Sequence, residues 1–361
     1  MINKNNYIVN TTNILKNVHT ISKVVGGKVK ICAIVKADAY GMGMTSVVQA
    51  LKGEVDYFGV ASIVEAMALR VVDKVTPVLV LGEVNLDLID WCAESSVRVT
   101  ISNLEELDYI ESHLNDKVLR IHLAVNTGLN RIGFRSVVAF KRAIDKINKS
   151  NVMILDGCFT HFATKANDED FIENQHKKFE NFIKLMPNDS IIHDANSYTA
   201  LNYKSFYHNM VRPGFAIYGY HKCDYKLFPA LTITSEIINI TNVRLGESVG
   251  YDRTFVALHN MRIAVVPVGY ADGLDRRLSN NFYLLVNGHK ANIVGNICMD
   301  VVLIDVTYIP YVYVGSKVTI LGSDGAEVLT PFDYAKALST SPYEVLLKFN
   351  HKRMNYKVLS E

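Results

Sequence analysis

Residues 29–43 read VKICAIVKADAYGMG, a stretch that begins as a strand and ends as a turn. Val29–Val35 is almost wholly apolar, which is typical of a strand buried on both faces of a parallel sheet. Lys36 stands where the apolar run ends, and Gly41 and Gly43 allow the chain to turn sharply before the next helix. Lys36 is either a solvated cation at a strand end or a residue placed for chemistry, and the rest of the sequence must distinguish the two.

Similar apolar, β-branched runs recur through the first two thirds of the chain and alternate with helical patterns. Ser62 and Ser102 each stand three residues before a glutamate, which is a signature of a helix N-terminus, and a further helical pattern covers 170–186. Eight strands alternating with helices over about 220 residues favour a (β/α)8 barrel, although a doubly wound open sheet needs a similar alternation. The eight runs lie at 30–35, 57–61, 77–81, 97–101, 119–125, 153–159, 190–195 and 212–219.

The pattern changes after residue 226, where short strand-like runs are separated by Gly, Asn and Asp. Asn287–Gly288 is a dipeptide typical of a two-residue β-hairpin turn. No long helix is expected in this part of the chain before 331–338. We therefore predict an α/β fold with a (β/α)8 barrel in residues 1–226 and a mostly β domain in residues 227–361.

Composition excludes several classes of protein. The chain has 361 residues, of which 49% are hydrophobic and 20% charged, and this suits two domains with buried cores. The formal net charge of +2 gives no electrostatic case for nucleic-acid or membrane partners, and no apolar run approaches the roughly 20 residues of a membrane span. The first residues lack the apolar core of a signal peptide. The five cysteines are scattered without a C-x-x-C pair, so we expect a cytoplasmic protein with small buried thiols.

Polar residues at the ends of the predicted strands indicate chemistry, because active sites of (β/α)8 barrels lie at the C-terminal ends of the strands. These positions carry a lysine, two arginines and a histidine beside Ser and Gly backbone suited to phosphate. A lysine desolvated among cations has a lowered pKa and can form a Schiff base. A phosphorylated carbonyl cofactor, pyridoxal 5'-phosphate, would use all of these groups. They are Lys36, Arg131, His161, Asn196, Ser197, Arg212 and Gly214.

Eight short stretches resemble the alanine racemase family, in the family's order and over essentially the whole chain. They include AIVKADAYGMG at 33–43, GYDRTF at 250–255 and GNICMD at 295–300. The resemblance implies a barrel followed by a β domain, and a head-to-tail homodimer whose two active sites each take residues from both subunits. The other stretches are TGLNRIGF (127–134), THFAT (160–164), ANS (195–197), RPGFAIYG (212–219) and VGYADGLDRR (268–277).

The resemblance implies an isomerase that interconverts L- and D-alanine and so supplies D-alanine for cell-wall peptidoglycan. Lys36 would hold pyridoxal phosphate as an internal aldimine and act as the base on the D face of the substrate. Tyr251 of the partner subunit would act as the base on the L face. Racemisation needs two bases on opposite sides of a planar carbanion, so this pair makes chemical sense. A tyrosine is ordinarily protonated at neutral pH, so nearby cations would have to help it ionise.

The resemblance assigns the other site residues to the cofactor and the substrate, and it implies no metal. Arg212 would face the pyridine nitrogen and keep it unprotonated, because a guanidinium is always charged. Arg131 would contact the cofactor or the substrate carboxylate. Met299 and Asp300 would approach the substrate from the second subunit and restrict it to a small amino acid. The remaining cofactor contacts are assigned to Tyr40, His161, Asn196, Ser197, Gly214 and Phe215.

Several positions depart from the family pattern. Ala124 stands where the family often has a lysine, carbamylated to orient the arginine that matches Arg131, and Asn126 replaces a common aspartate. His351 stands where a tyrosine usually lines the entrance, and Met42 replaces a common histidine. Both predicted bases remain, so the prediction is a racemase of alanine or, alternatively, of serine or another small amino acid.

Two other classes of pyridoxal-phosphate protein use a similar barrel. An amino-acid decarboxylase would place an acidic residue against the pyridine nitrogen, where this chain has Arg212. A non-catalytic cofactor carrier would consist of the barrel alone and would lack residues 227–361 with Tyr251. Both classes therefore fit the sequence less well than a racemase does.

Overall fold

The structure is a computed structural model in which the chain divides into two compact units, called here the barrel unit and the β unit. It describes residues 4–164, 168–349 and 351–360. The barrel unit comprises Asn13–Ala39 and Gly43–Phe228, and the β unit comprises Met1–Thr12, Tyr40–Met42 and Pro229–Glu361. Two segments from the N-terminal part of the sequence therefore belong to the β unit.

Within the described part of the barrel unit, eight parallel strands form one sheet, and the predicted (β/α)8 barrel is confirmed. From the first to the seventh, each strand pairs with the next, and the eighth lies beside the first. The barrel approaches closure where the Asn209 amide donates to Ile192 O at 3.4 Å and where Asn196 forms a parallel bridge with Arg212. The strands, numbered first to eighth, are Lys30–Ile34, Tyr57–Val60, Val78–Val80, Val97–Ile101, Leu119–Ala124, Met153–Phe159, Ile191–His193 and Met210–Val211.

The helices that accompany these strands begin at residues suited to capping. Ser62 caps its helix as predicted, since its side chain accepts a hydrogen bond from the Glu65 amide. The start predicted at Ser102 was one residue early, because Asn103 is an equally good cap and accepts from the Glu106 amide at 2.9 Å. No helix among the described residues is long and apolar enough to cross a membrane. The helices are Thr11–Val25, Met44–Leu51, Ile63–Val72, Ile89–Glu94, Leu104–His113, Val137–Lys149, Glu169–Ile183 and Ser197–Asn202.

The prediction of a strand at 212–219 was wrong, and the eighth strand is the two-residue Met210–Val211. The segment that follows it is buried but folded into turns, with the Ile217 amide donating to Gly214 O at 3.0 Å. Pro213 has no amide hydrogen to give to a neighbouring strand. The apolar run therefore indicated burial correctly but not strand structure, because a turn packed inside the unit needs the same side chains.

The β unit is mostly strands, as predicted, and its sheets combine segments that are far apart in the sequence. The N-terminal strand Asn6–Asn10 pairs antiparallel with Leu231–Glu236 and parallel with Asn355–Leu359. The predicted hairpin turn at Asn287–Gly288 is confirmed, since both residues have positive φ, 50° and 76°, and join two paired strands. The other strands are Asn239–Val243, Ser248–Val249, Phe255–Val256, Met261–Val266, Tyr283–Val286, His289–Asn292, Val302–Asp305, Lys317–Asp324 and Glu327–Leu329, and the α-helices are Pro331–Leu338 and Pro342–Lys348.

A bulge in the sixth barrel strand makes room for a buried histidine. The pairing of the fifth and sixth strands shifts after Ile121, so that His122 pairs with Gly157 rather than with Asp156. A Cβ on Gly157 would lie 2.2 Å from Ile191 O and 2.8 Å from the His122 ring. Glycine is therefore required here, because any larger residue would displace backbone as well as the histidine.

Replacing Gly157 by Ala is expected to lower the free energy of unfolding by about 3 kcal/mol, because the clash is with a backbone oxygen that cannot move away cheaply. Thermal and urea unfolding of the purified variant measure this loss. The matched control is Gly27→Ala, where a Cβ meets nothing within 4 Å and a change within about 0.5 kcal/mol is expected. Equal stability of the two variants would contradict the steric explanation.

Candidate active site

Lys36 begins a turn of left-handed backbone at the end of the first barrel strand. Ala37, Asp38 and Ala39 have φ of 52°, 51° and 54°, a conformation that costs roughly 1–2 kcal/mol for each residue with a Cβ. Two hydrogen bonds support the turn: Glu65 Oε1 accepts from the Ala37 amide at 2.8 Å, and the Asp38 carboxylate accepts from a later backbone amide at 2.7 Å. Strained backbone that is held in place beside a lysine is typical of a functional site.

The charges of two arginines affect the pKa values of Lys36 and His161. Burial lowers the pKa of Lys36, and the charges of Arg131 and Arg212 lower it further, against an opposing effect of Glu65. Burial and the charges of Arg212 and Arg131 lower the pKa of His161 to about 3. His161 is therefore neutral at pH 7, and the Lys36 amine loses its proton more readily than an ordinary lysine does.

Arg212 is buried and hydrogen-bonded through both terminal nitrogens. Nη1 donates to Nδ1 and to the backbone oxygen of His193, at 2.8 and 2.6 Å. Nη2 donates to Thr160 O at 2.8 Å, to His161 Nδ1 at 3.2 Å and to Asp194 O at 3.3 Å. Burial lowers the pKa of Arg212 to about 10, which leaves the guanidinium charged at pH 7. Nε makes no hydrogen bond to a described residue, so it is available to a ligand.

Two buried histidines that sequence reasoning missed extend this network into the barrel. Because Arg212 can only donate, His193 Nδ1 accepts and its Nε2 carries the proton. That Nε2 donates to His122 Nδ1 at 2.8 Å, which leaves the protonated Nε2 of His122 3.7 Å from Asp156 Oδ2. Burial lowers the pKa of both histidines, in agreement with neutral rings. The available signal was a histidine inside each of two apolar runs, His122 in 119–125 and His193 in 190–195, the latter two residues before the ANS motif.

Ser197 and Gly214 lie together in the barrel unit. The amides of Gly214 and Ala216 both donate to Ser197 Oγ, at 2.9 and 3.3 Å. Amides that converge in this way also suit a phosphate oxygen. Asn196 caps the helix that begins at Ser197, since its side-chain oxygen accepts two backbone amides of that helix. Its contribution is therefore to position Ser197, and Phe215 is buried beside Gly214.

Arg131 lies in the loop 127–134, which folds against two of the positions that depart from the family pattern. Asn126 Oδ1 accepts two backbone amides of this loop, each at 3.1 Å. Ala124 is buried and offers no polar side-chain group. Arg131 itself is exposed and makes no hydrogen bond or ion pair with a described residue. Its guanidinium is therefore available to an anion.

In the β unit, three of the sequence motifs pack together around Tyr251. A Cβ on Gly295 would lie 2.6 Å from Val249 O, so the 295–300 motif touches the backbone that leads to Tyr251. A Cβ on Gly269 would lie 2.2 Å from Met299 O. The motifs present Tyr251 and Met299 to solvent, with exposed fractions of 70% and 54%.

Asp300 is tied to the C-terminal segment of the β unit. Arg353 Nη2 donates to Asp300 at 2.6 Å, and Arg353 Nε donates to Asp272 at 3.0 Å. His351, at the position where the family usually has a tyrosine, packs its ring 5.7 Å from that of Tyr7. The carboxylate of Asp300 is thus held by a neighbouring cation, and His351 is held by an aromatic contact.

Tyr40 and Met42, which belong to the β unit, have partners there. The rings of Tyr40 and Tyr343 lie 6.0 Å apart, and burial together with Tyr343 raises the pKa of Tyr40. Met42 is fully buried, and the Tyr356 hydroxyl donates to its backbone oxygen at 2.8 Å. At a fully buried position a thioether avoids the cost of burying a polar imidazole. Tyr343 was missed in the sequence, where nothing linked it to Tyr40.

A (β/α)8 barrel with a desolvated lysine among arginines at its strand ends has the architecture of a barrel enzyme, since the active sites of this fold lie at the strand ends. The chain belongs to the alanine racemase family: residues 9–222 match the family model of the alanine racemase N-terminal domain, and residues 230–357 match that of the C-terminal domain.

Individual relatives match nearly the whole chain. Alanine racemase 2 of Caldanaerobacter subterraneus subsp. tengcongensis is 38% identical over 353 residues, covering 93% of this chain and 90% of the relative. The crystal structure of alanine racemase from E. faecalis has a TM-score of 0.94 at 33% identity, covering 99% of this chain and 100% of that one. Histidine racemase from Leuconostoc mesenteroides subsp. sake has a TM-score of 0.90 at 26% identity, covering 99% and 98%.

Replacing Arg131 by Gln removes a positive charge that disfavours protonated Lys36, so the pKa of Lys36 is expected to rise. Reductive methylation with 13C-formaldehyde followed by NMR titration measures this pKa, and the signal is assigned by its loss in Lys36→Arg. Arg135→Gln, in the same stretch of chain, is the matched control and should leave the Lys36 titration in place. The same midpoint in both variants would contradict the electrostatic role of Arg131.

Proposed function

We propose that the chain is a pyridoxal-phosphate-dependent alanine racemase, an isomerase that interconverts L- and D-alanine with two bases. The observation that carries this proposal is Lys36, which follows the first barrel strand and whose pKa is lowered by burial and by Arg131 and Arg212. An amine of lowered pKa can hold a carbonyl cofactor and also accept a proton near neutral pH. Membership of the alanine racemase family supports the same reaction.

The described residues of the barrel unit fit pyridoxal phosphate. The amides of Gly214 and Ala216 that converge at Ser197 suit a phosphate oxygen, and Arg131 suits an anionic oxygen. Arg212 Nε is available to donate to the pyridine nitrogen, which such a donor keeps unprotonated. When bound, the cofactor supplies an electron sink for negative charge at the substrate Cα. An unprotonated pyridine weakens that sink, which favours rapid return of the proton over side reactions.

Racemisation requires removal of a proton from one face of Cα and delivery of a proton to the other. We assign the D face to Lys36 and the L face to Tyr251 of the partner subunit. Tyr251 is 70% exposed in the β unit, as expected for a side chain that completes a site in another subunit. His161 is neutral and accepts from Arg212 at Nδ1, so its Nε2 proton is free to be donated to the partner's Tyr251 oxygen. That donation would favour the ionised tyrosine.

Alanine is the proposed substrate, with Met299 and Asp300 of the partner subunit limiting its size. The fold alone does not select alanine, because a histidine racemase shares it. His351 in place of a tyrosine at the entrance leaves serine or another small amino acid as the alternative. In the cell, we propose that the enzyme acts in the cytoplasm and supplies D-alanine for peptidoglycan.

A homodimer with shared sites is part of the proposal. The β unit exposes large aromatic side chains as well as Tyr251: Tyr308 and Tyr311 are 83% and 89% exposed. Tyrosine and other aromatic side chains are enriched at protein–protein interfaces. A second copy of the chain is the partner that a shared active site requires.

The purified protein is expected to interconvert L- and D-alanine, and Lys36→Ala is expected to lose both this activity and the yellow absorbance of the covalently held cofactor. Chiral chromatography over a panel of amino acids, beginning with alanine and serine, measures the activity. Lys30→Ala, which changes an exposed lysine on the same strand, should retain both properties. Retention of the absorbance in Lys36→Ala would refute the assignment, and a higher kcat/KM for serine would favour the alternative substrate.

Tyr251→Phe should bind the cofactor but remove the L-face proton very slowly, whereas a mixture with Lys36→Ala should recover activity. In an isologous dimer, each mixed pair contains one site with both bases intact, and random pairing makes about half of the dimers mixed, so recovery of about a quarter of wild-type activity is expected. Co-expression with two different affinity tags yields the mixed dimer. An inactive mixed dimer would mean that both bases belong to the same chain.

A further inference from the structure

Three potential metal ligands that no part of the proposed reaction uses lie together in the barrel unit: His176, Asp194 and His208. They belong to the helix Glu169–Ile183, to the end of the seventh strand and to the segment before the eighth. His176 Nδ1 lies 2.8 Å from Asp194 Oδ2, and His208 Nε2 lies 3.4 Å from the same oxygen. The Asp194 side chain is fully buried, and both histidine side chains are 16% exposed.

Two atoms of this cluster, Asp194 Oδ1 and His208 Nε2, are buried without a hydrogen-bond partner among the described residues. Leaving a buried polar group without a partner costs roughly 1–3 kcal/mol. His208 Nε2 points close to the carboxylate and yet makes no hydrogen bond with it. A metal ion held between them would satisfy the nitrogen, and a bidentate carboxylate would use the second oxygen as well.

The separations of the donor atoms suit a small transition-metal ion. A tetrahedral ion with bonds of about 2.0–2.1 Å places its ligand atoms roughly 3.3 Å apart, which the 3.4 Å between His208 Nε2 and Asp194 Oδ2 matches. The 2.8 Å contact of His176 Nδ1 is a hydrogen bond, and an ion would replace its proton. Glu180 Oε1 lies 4.0 Å from His208 Nε2 and 3.6 Å from His176 Nε2, outside the group formed by the other three ligand atoms. Its partly exposed side chain would have to move closer to supply a fourth ligand.

We propose that His176, Asp194 and His208, with Glu180 as the fourth ligand, bind one divalent transition-metal ion, and that this ion is Zn²⁺. Two imidazoles with carboxylates are a ligand set that Zn²⁺ takes, whereas Mg²⁺ and Ca²⁺ prefer oxygen ligands alone. The Glu180 side chain is 41% exposed, so an ion can enter from solvent along it. The proposal of this Zn²⁺ site does not rest on the proposed racemase reaction.

The ion would be structural, because it joins three segments beside the residues that hold Arg212. The Asp194 backbone oxygen accepts from Arg212 Nη2 at 3.3 Å, and the preceding His193 accepts from Nη1. None of the four ligands is assigned to the cofactor or the substrate. Zn²⁺ is therefore expected to raise the melting temperature of the protein without taking part in the chemical step.

Isothermal titration calorimetry of untagged, chelator-treated full-length protein tests the site, with Mg²⁺ as the comparison ion. One Zn²⁺ per chain is expected to bind with a Kd of about 1 μM or tighter, and Mg²⁺ is expected to show no comparable binding. His176→Gln and His208→Gln should each weaken Zn²⁺ binding by about 100-fold. Glu180→Gln, a nearly isosteric change at a partly exposed position, should weaken it by about tenfold and leave folding intact.

The control variant is His19→Gln, since His19 forms a histidine–glutamate pair with Glu54 at 2.9 Å on the surface of the same unit. It should bind Zn²⁺ as the wild type does. X-ray absorption at the zinc edge should show two imidazole nitrogens among four light ligands. The absence of stoichiometric binding to the wild type would overturn the proposal, and so would binding that is unchanged in both His208→Gln and Glu180→Gln.

Discussion

The hydrogen bonds of the buried Arg212 guanidinium hold together the end of the barrel where the candidate active site lies. It donates to the backbone oxygens of Thr160, His193 and Asp194, and so joins the end of the sixth strand to the seventh. The eighth strand consists only of Met210–Val211 and can therefore form few backbone hydrogen bonds with its neighbours. The hydrogen bonds of Arg212 help to close the barrel at this point. Five hydrogen bonds to neutral groups compensate a cation for its lost water without cancelling its charge.

The retained charge of Arg212 determines the protonation of its neighbours. It favours neutral His161 and contributes to the lowered pKa of Lys36. Because a guanidinium never accepts, it also fixes the tautomer of His193 and, through it, that of His122. One side chain thus connects the closure of the fold, the reactivity of the candidate base and the proton positions inside the barrel.

Local sequence patterns were sufficient for most of the fold and for the expectation that Lys36 and Arg212 follow barrel strands. Runs such as 97–101 and 153–159 have the bounds of the observed strands, because strands buried on both faces must be continuously apolar. Because active sites of (β/α)8 barrels lie at the C-terminal ends of the strands, we expected Lys36 and Arg212 to lie near each other. The charge of Arg212 does contribute to the lowered pKa of Lys36. The turn at 212–219 was not predictable because a buried turn and a buried strand have the same apolar composition, and the left-handed backbone after Lys36 was not predictable because the sign of φ leaves no periodic signal. The contact of His122 with His193 depends on a bulge, which local patterns do not reveal.

The proposal of two bases on opposite faces of the substrate is tested most directly by measuring deuterium at Cα while L-alanine reacts in deuterium oxide. Early in the reaction, D-alanine should carry deuterium at Cα, because in the proposed mechanism Lys36 delivers a solvent-derived deuteron. The remaining L-alanine should keep its hydrogen, because in the proposed mechanism Tyr251 of the partner subunit holds only the proton it removed and returns that same proton when the reaction reverses. Chiral separation followed by mass spectrometry measures both. D-alanine that retains the original hydrogen, or L-alanine that exchanges as fast as product forms, would contradict the two-base arrangement.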